Sequence, residues 1–453
     1  MFQEPHKEAI VCNNSFEEAP LQALTVLLQN KLLLYAIYGI IFSYFYNLAI
    51  INYSVTGDNE LRLYDVLGVF VLYNYYKYNA LINVVIQKVP FFKILKKFMI
   101  WASITMVLTL VFHVLNDKIL SFLQVVLYMF HFWVFYLTAV FFYVFCLDKA
   151  IVQKGIYLIL FLSIASCIII TLQNLGKLDF LWSEAYEKAY EGFMSGTLGP
   201  NKIVTGMTSL FVLSLCLGLL LEKHFKIKNT VLYIAVLLNI YIIIISGSRT
   251  TYVALLIIVL FFALKSPLRF LISFFLMTFF FVFILSKNPE LQKTLDDTLQ
   301  KRIFSKTKIF EDDAAELSGA YGDLGAGREE LTKDNFIYLL ENPLVLPFGA
   351  GFVNRFDKAK GFTAHNMYLQ VIKETGLVGF FLYFGWLLSY LFIKFDKFSG
   401  FSIALQGLVY AMLVTLFFGE HLYIYRPLFG LLGLFLIITS IFVSSLHKIE
   451  IKS

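Results

Sequence analysis

Charge is scarce in this chain: Asp, Glu, Lys and Arg make up 15% of its 453 residues, against roughly 25% in ordinary soluble domains. Hydrophobic residues make up 59%, and a soluble globule of this length cannot hide that much apolar surface and keep a wettable exterior. Cysteine is scarcer still. The four cysteines include no pair at metal or redox spacing, so a disulfide-stapled small domain is excluded and no zinc site is indicated. Disordered and collagen-like classes fail on the same composition. There is no P-loop and no paired-carboxylate signature. Asp312-Asp313 offers too few ordered oxygens to read as a divalent-cation site. The first 30 residues lack the basic start and short apolar core of a cleaved signal.

What the chain does have is long apolar runs. A transmembrane helix needs about 20 mostly apolar residues. Candidate spans fall at 31–51, 61–80, 98–116, 119–147, 155–175, 203–221, 230–246, 250–264, 268–286, 367–393, 402–419 and 427–446. None shows the period-2 alternation of a barrel strand. The fold class expected is an all-α integral membrane protein with about twelve transmembrane helices and a large, partly helical periplasmic loop between spans 9 and 10. In domain terms this gives a tail over 1–30, nine spans over 31–286, the loop over 287–366, three spans over 367–446 and a tail over 447–453.

Lysine and arginine set the expected orientation. Eighteen of them lie at one set of span ends and seven at the opposite short connections. Both termini are therefore expected in the cytoplasm, with the long loop outside. The net charge of +6 follows from this asymmetry and gives no case for nucleic-acid binding. Span 1 reads as an uncleaved signal anchor. No internal repeat is visible, so the two six-span halves of a major-facilitator transporter are not indicated. One large loop late in the chain points instead to an enzyme worked from one face.

Structureless loops of this length are uncommon and are usually functional or disordered. In 290–304, Leu291, Leu295, Leu299 and Ile303 recur at helical spacing, and 328–341 carries a second helical pattern with Leu331, Phe336, Leu339 and Leu340. Between them, 311–327 is acidic and Gly-rich. Pro343 and Pro347 break the second helix, and Gly349-Ala350-Gly351 makes a tight turn. A second outer loop, 176–202, is mildly acidic.

Four polar constellations stand out. The first is His365-Asn366, then Gly376 and Gly379, in AHNMYLQVIKETGLVGFFLYF. It reads either as an interfacial His above a close-packing helix motif or as a proton acceptor suited to neutral pH. The second is Ser246-Gly247-Ser248-Arg249-Thr250. Its Arg either snorkels to set orientation or binds phosphate in bidentate fashion. The third is Gly327-Arg328 with the PFGAGF turn of 347–352, where a helix start offers amides to an anion. The fourth is Glu420-His421 with Arg426, which reads foremost as a polar loop. Asp65 and His131 are suspects by their location within spans, with no partner evident.

Together, SGSRTTYVALL, Gly327-Arg328, PFGAGF and AHNMYLQVIKETGLVGF, over roughly 200–400, resemble the O-antigen ligase and polymerase superfamily (Wzy/WaaL-like). The helix after Arg328 departs from the family pattern in lacking a Trp, with Phe336 the nearest aromatic. The resemblance implies a metal-independent, GT-C-like membrane glycosyltransferase with no cofactor. It implies a donor glycan on undecaprenyl diphosphate, bound through Arg249 and Arg328. His365 would be the general base on the acceptor hydroxyl, with Asn366 orienting it. The implied site is the bacterial inner membrane, worked from the periplasmic face.

The leading expectation is a repeat-unit polymerase of O-antigen or capsule, using lipid-linked oligosaccharide as donor and acceptor. Membrane lipid, a chain-length regulator and a flippase of the same pathway are its expected partners. A ligase transferring to lipid A-core and a protein O-oligosaccharyltransferase share the same donor. A flippase or transporter is the alternative without bond chemistry.

Overall fold

In an apolar medium the backbone must satisfy its own amides, and long runs of Leu, Ile, Phe and Val do so as helices. A computed structural model of the chain describes residues 24–47, 50–52, 60–117, 119–179, 196–198, 201–222, 225–265, 328–354, 364–393, 399–424 and 429–444, with isolated positions between 267 and 293.

The first helices are α1 (Lys31–Phe45), α2 (Leu63–Lys77), α3 (Asn79–Lys88), α4 (Pro90–Leu115), α5 (Ile119–Phe145) and α6 (Lys149–Asn174). There follow α7 (Lys202–Leu221), α8 (Asn229–Ser246), α9 (Arg249–Lys265), α10 (Arg328–Glu341) and the short α11 (Val345–Phe348). The last are α12 (Met367–Ser389), α13 (Gly400–Thr415) and α14 (Phe429–Ser444). A two-residue antiparallel pair, Ile51–Asn52 with Glu60–Leu61, precedes α2.

The protein is thus a helical, multi-pass membrane protein. Among the described residues six helices are long and apolar enough to cross a membrane: Pro90–Leu115, Phe122–Phe145, Lys149–Asn174, Lys202–Leu221, Asn229–Ser246 and Met367–Phe392. Lys31–Phe45, Gly400–Thr415 and Gly430–Ser444 are apolar and shorter. The expected span over 61–80 is broken: α2 stops at Lys77 and α3 starts at Asn79. The helix expected from residue 98 begins instead at Pro90, whose fixed φ suits a first helical position. The expected span over 268–286, the helix over 290–304 and the Gly-rich 311–327 lie outside the continuously described residues. The helix expected over 328–341 is α10.

Caps mark several starts. The side chains of Asn30, Asp148, Asn201 and Asn366 each accept a first-turn amide of the helix that follows. Gly247, at φ 61°, ends α8 in the left-handed conformation, so α9 starts two residues later.

Contacts between helix ends fix how the helices run. The start of α7 meets the start of α9, where Gly206 abuts Thr251. The end of α7 meets the start of α13, where Gly218 abuts Ala404 and Phe401, and Ser214 donates to the Ala404 carbonyl at 3.2 Å. Helix α13 therefore runs antiparallel to α7 and α9, and its C-terminal end points towards the end of the bundle where α9 starts. At that same end, Asn47 donates its amide to the Thr197 carbonyl at 2.7 Å.

The opposite end gathers lysines. There Tyr157 donates to the Lys226 carbonyl at 2.8 Å, Ser399 donates to Glu222 at 3.2 Å, and Phe91 stacks on Tyr390. The bundle is thus sorted into a lysine-bearing end and an end holding the sequence-selected polar residues that are described.

Candidate active site

The candidate site is organised by α12. This helix kinks at Gly376, whose φ of 69° and ψ of −174° are not helical. In an unbroken helix the amides of 377–379 would serve the carbonyls of 373–375. Here each of those carbonyls takes another donor. Ala350 N–H donates to Lys373 at 2.7 Å, Gly351 N–H to Glu374 at 3.0 Å, and the Trp101 indole to Thr375 at 2.7 Å.

The PFGAGF turn is the wedge in this kink. A Cβ on Gly349 would collide with the Glu374 carbonyl, and one on Gly376 with the Pro347 carbonyl. Both residues have positive φ, so glycine is required by conformation and by space. On its other side the turn abuts α4: Thr109 donates to the Phe352 carbonyl at 2.8 Å, and the His113 ring lies 2.9 Å from the Thr109 carbonyl.

This alters the reading of the His-Asn…Gly-x-x-Gly spacing as a helix-packing motif. Gly376 admits the end of the one-turn α11, where the PFGAGF turn begins, rather than a long neighbouring helix. Gly379 does face a helix, since an added Cβ would lie 3.3 Å from Trp101 of α4.

His365 stands two residues before α12, half-buried, at φ 47°. A left-handed non-glycine residue costs of order 1–3 kcal/mol and persists only where its surroundings impose it. They do so here. Ala364 N–H donates to Gln370 Oε1 at 3.0 Å, Asn366 Oδ1 caps the Tyr368 amide at 3.0 Å, and Met367 N–H donates to the Leu416 carbonyl at 2.8 Å. Tyr368 completes the clamp by stacking on Phe384 and Phe417 and donating to the Leu413 carbonyl at 2.7 Å.

Two buried charges lie inside the nine-residue spacer of this motif. Glu374, 1% exposed, accepts from Gln370 Nε2 at 2.5 Å through one oxygen. Its other oxygen accepts from Val353 N–H at 3.0 Å and Tyr423 O–H at 2.6 Å. A buried carboxylate is tolerable only when its lone pairs are met in this way. Lys373 donates to Asn335 of α10 at 3.1 Å and lies over the Tyr338 ring. This contact ties the loop helix that starts at Arg328 to α12.

Arg249 is half-buried at the first position of α9. It lies at the same end of the bundle as His365, since α13 runs towards the end where α9 starts and its Leu416 carbonyl holds Met367. Arg328 opens α10, and Arg426 lies outside the described residues. The Glu420-His421 segment is not a solvated polar loop, because residues 420–424 are all buried. His421 is packed against Thr415, with Nε2 3.1 Å from its hydroxyl. Asp65 and His131 are each other's partner: the His131 Nε2 contacts Asp65 Oδ1. Asp65 also accepts the Arg62 amide at 2.8 Å, and the Arg62 guanidinium donates to Asn47 and Tyr64.

Glu374, Lys373, Gln370, Tyr423 and Trp101 went unnoticed in the sequence reading. A signal for two of them was present. Lys373 and Glu374 are ionisable residues within an expected span, and such residues are functional suspects by default.

Residues 234–384 match the sequence model of the family described as O-Antigen ligase. The matched stretch contains Arg249, Arg328, His365, Asn366 and the Gly376 kink, and stops short of the 415–424 segment. No curated protein matches the chain.

Proposed function

From the match of residues 234–384 to the O-antigen ligase family model, we propose that this protein is a membrane glycosyltransferase that polymerises lipid-linked repeat units. Its donor is a glycan on undecaprenyl diphosphate, and its acceptor is a sugar hydroxyl on the next lipid-linked repeat. The observation that carries the reading is the left-handed His365 clamped at the same end of the bundle as Arg249.

In this reading His365 takes the acceptor hydroxyl proton. The freed oxygen forms the new glycosidic bond at the anomeric carbon, with inversion, as the bond to the lipid diphosphate breaks. The leaving diphosphate gains charge, and fixed guanidinium donors stabilise it most in a site that excludes water. Arg249 is the principal donor, and Arg328, at the start of α10, is the second. Asn366 orients the acceptor side by fixing the start of α12. The bond energy is stored in the donor, so the reading invokes neither nucleotide nor metal.

The layout proposed with it is about twelve spans in a bacterial inner membrane. The lysine-bearing end and both termini face the cytoplasm, and 287–366 lies outside. A chain-length regulator and a flippase of the same pathway are the proposed partners.

The description of the matched family favours a second reading, a ligase that transfers the finished chain to lipid A-core. A product gel from a deletion strain tests both. Collapse of the polymer ladder to a single repeat on core supports the polymerase. Long lipid-linked chains with none on core support the ligase. An unaltered ladder contradicts both.

A further inference from the structure

We propose that Glu374 is a positioning residue for His365, acting through Gln370. The inference rests on the catalytic reading of His365 and deepens it.

Two non-glycine residues near α12 hold left-handed backbone, Val353 at φ 54° and His365 at φ 47°. For a β-branched residue this is a genuine outlier. One buried chain of side chains reaches both. Glu374 takes the amide of Val353 directly. Through its other oxygen it fixes the Gln370 amide group, whose oxygen takes the N–H of Ala364, the residue before His365. Glu374 also takes the hydroxyl of Tyr423, from the buried 420–424 segment. One carboxylate thus connects the turn after PFGAGF, the His365 turn and the buried 420–424 segment.

The donor order of this chain is directional. Ala364 N–H and Val353 N–H enter from its two ends, so the pair at 370 and 374 must accept at both ends. A carboxylate and an amide together can do that. Two amides cannot, because flipping either one only moves the donor–donor clash along the chain. Glu374→Gln therefore breaks the network while hardly changing shape. The exchanged pair, Gln370→Glu with Glu374→Gln, restores these four bonds: Gln at 374 donates to Glu at 370 and still accepts from Val353 and Tyr423, and Glu at 370 accepts from Ala364.

The test compares wild type, Glu374→Gln, the exchanged pair and His365→Ala in detergent with a purified lipid-linked repeat unit. We expect Glu374→Gln to lower kcat by about 100-fold, the cost of a displacement near 1 Å at a reacting group, with little change in KM. The exchanged pair should return to within a few-fold of wild type. Wild-type kcat in Glu374→Gln, or no recovery in the exchanged pair, overturns the proposal. The second result would instead assign the effect to charge at position 374.

A readout independent of activity separates this proposal from the catalytic one. Modification of His365 by diethyl pyrocarbonate, followed by mass spectrometry, should quicken in Glu374→Gln and return to the wild-type rate in the exchanged pair. Equal rates in all three overturn the positioning role. Transfer by His365→Ala at the wild-type rate overturns only the catalytic reading.

Discussion

Trp101 and Thr375 meet across 274 residues of chain, with the indole N–H 2.7 Å from the carbonyl. The bond closes the third of the three carbonyls exposed by the α12 kink, and it joins α4 to the helix that follows the candidate base. Trp101→Phe keeps most of the ring's packing and removes the donor. Leaving a buried acceptor unmet costs about 1–3 kcal/mol. Thermal unfolding in detergent should show a lower midpoint for this variant, and an unchanged midpoint would show that the bond is dispensable.

The kink also predicts a contrast between two glycines. Gly176 has φ +68° with nothing within 4 Å of an added Cβ, while Gly376 has φ +69° and faces the Pro347 backbone. Gly176→Ala should cost only the left-handed strain, about 1–2 kcal/mol. Gly376→Ala meets that strain plus a backbone collision, so it should fail to yield a monodisperse protein in size-exclusion chromatography. Equal behaviour of the two variants would contradict the wedged turn.

Asp65 and His131 lie 66 residues apart in sequence and in direct contact. Removing one partner of a buried hydrogen bond leaves the other unmet, at a cost of about 1–3 kcal/mol. Asp65→Asn and His131→Ala should each lower the unfolding midpoint, and the double variant should lose much less than the sum. Additive losses would show that the two side chains act separately.

Sequence alone showed which helices exist better than where they begin. The α7 and α8 runs are uniformly apolar, so composition marks their limits. The start of α4 was hidden because Lys93, Lys96 and Lys97 lower its hydropathy. The α2–α3 break at Tyr78 has no Gly or Pro to announce it. The PFGAGF turn was legible from its glycines, and residue type and spacing single out His365 as the candidate base. Glu374 was not, because its importance comes from what it meets: Val353 is 21 residues away and Tyr423 is 49. The burial of Glu420 and His421 was masked by their polarity, which reads as solvent-facing until the packing around them is seen.

Arg249 is proposed to bind the donor diphosphate. Guanidinium binds phosphate oxygens in a bidentate fork that ammonium cannot reproduce. Arg249→Ala should therefore raise the apparent KM for lipid-linked donor by tenfold or more, roughly the loss of one charge-assisted contact, and Arg249→Lys should recover only part. An unchanged KM together with an unchanged kcat in the alanine variant would remove Arg249 from the donor site.

The proposed orientation makes a direct labelling prediction. In a background lacking Cys12, Ala320→Cys should react with a membrane-impermeant maleimide in intact spheroplasts. Lys226→Cys, at the exposed lysine-bearing end, should react only after lysis. The reverse pattern would invert the protein in the membrane and place His365 on the cytoplasmic side.

The central claim is that His365 performs chemistry at the polar end of the bundle. Its most direct test is transfer by purified His365→Ala, with a lipid-diphosphate-linked repeat unit as donor and acceptor and with product length read by gel. His365→Ala should keep an unfolding midpoint close to wild type and show no detectable chain growth. Chain growth at the wild-type rate would contradict it and leave the alternative without bond chemistry, movement of the lipid-linked glycan, to be pursued.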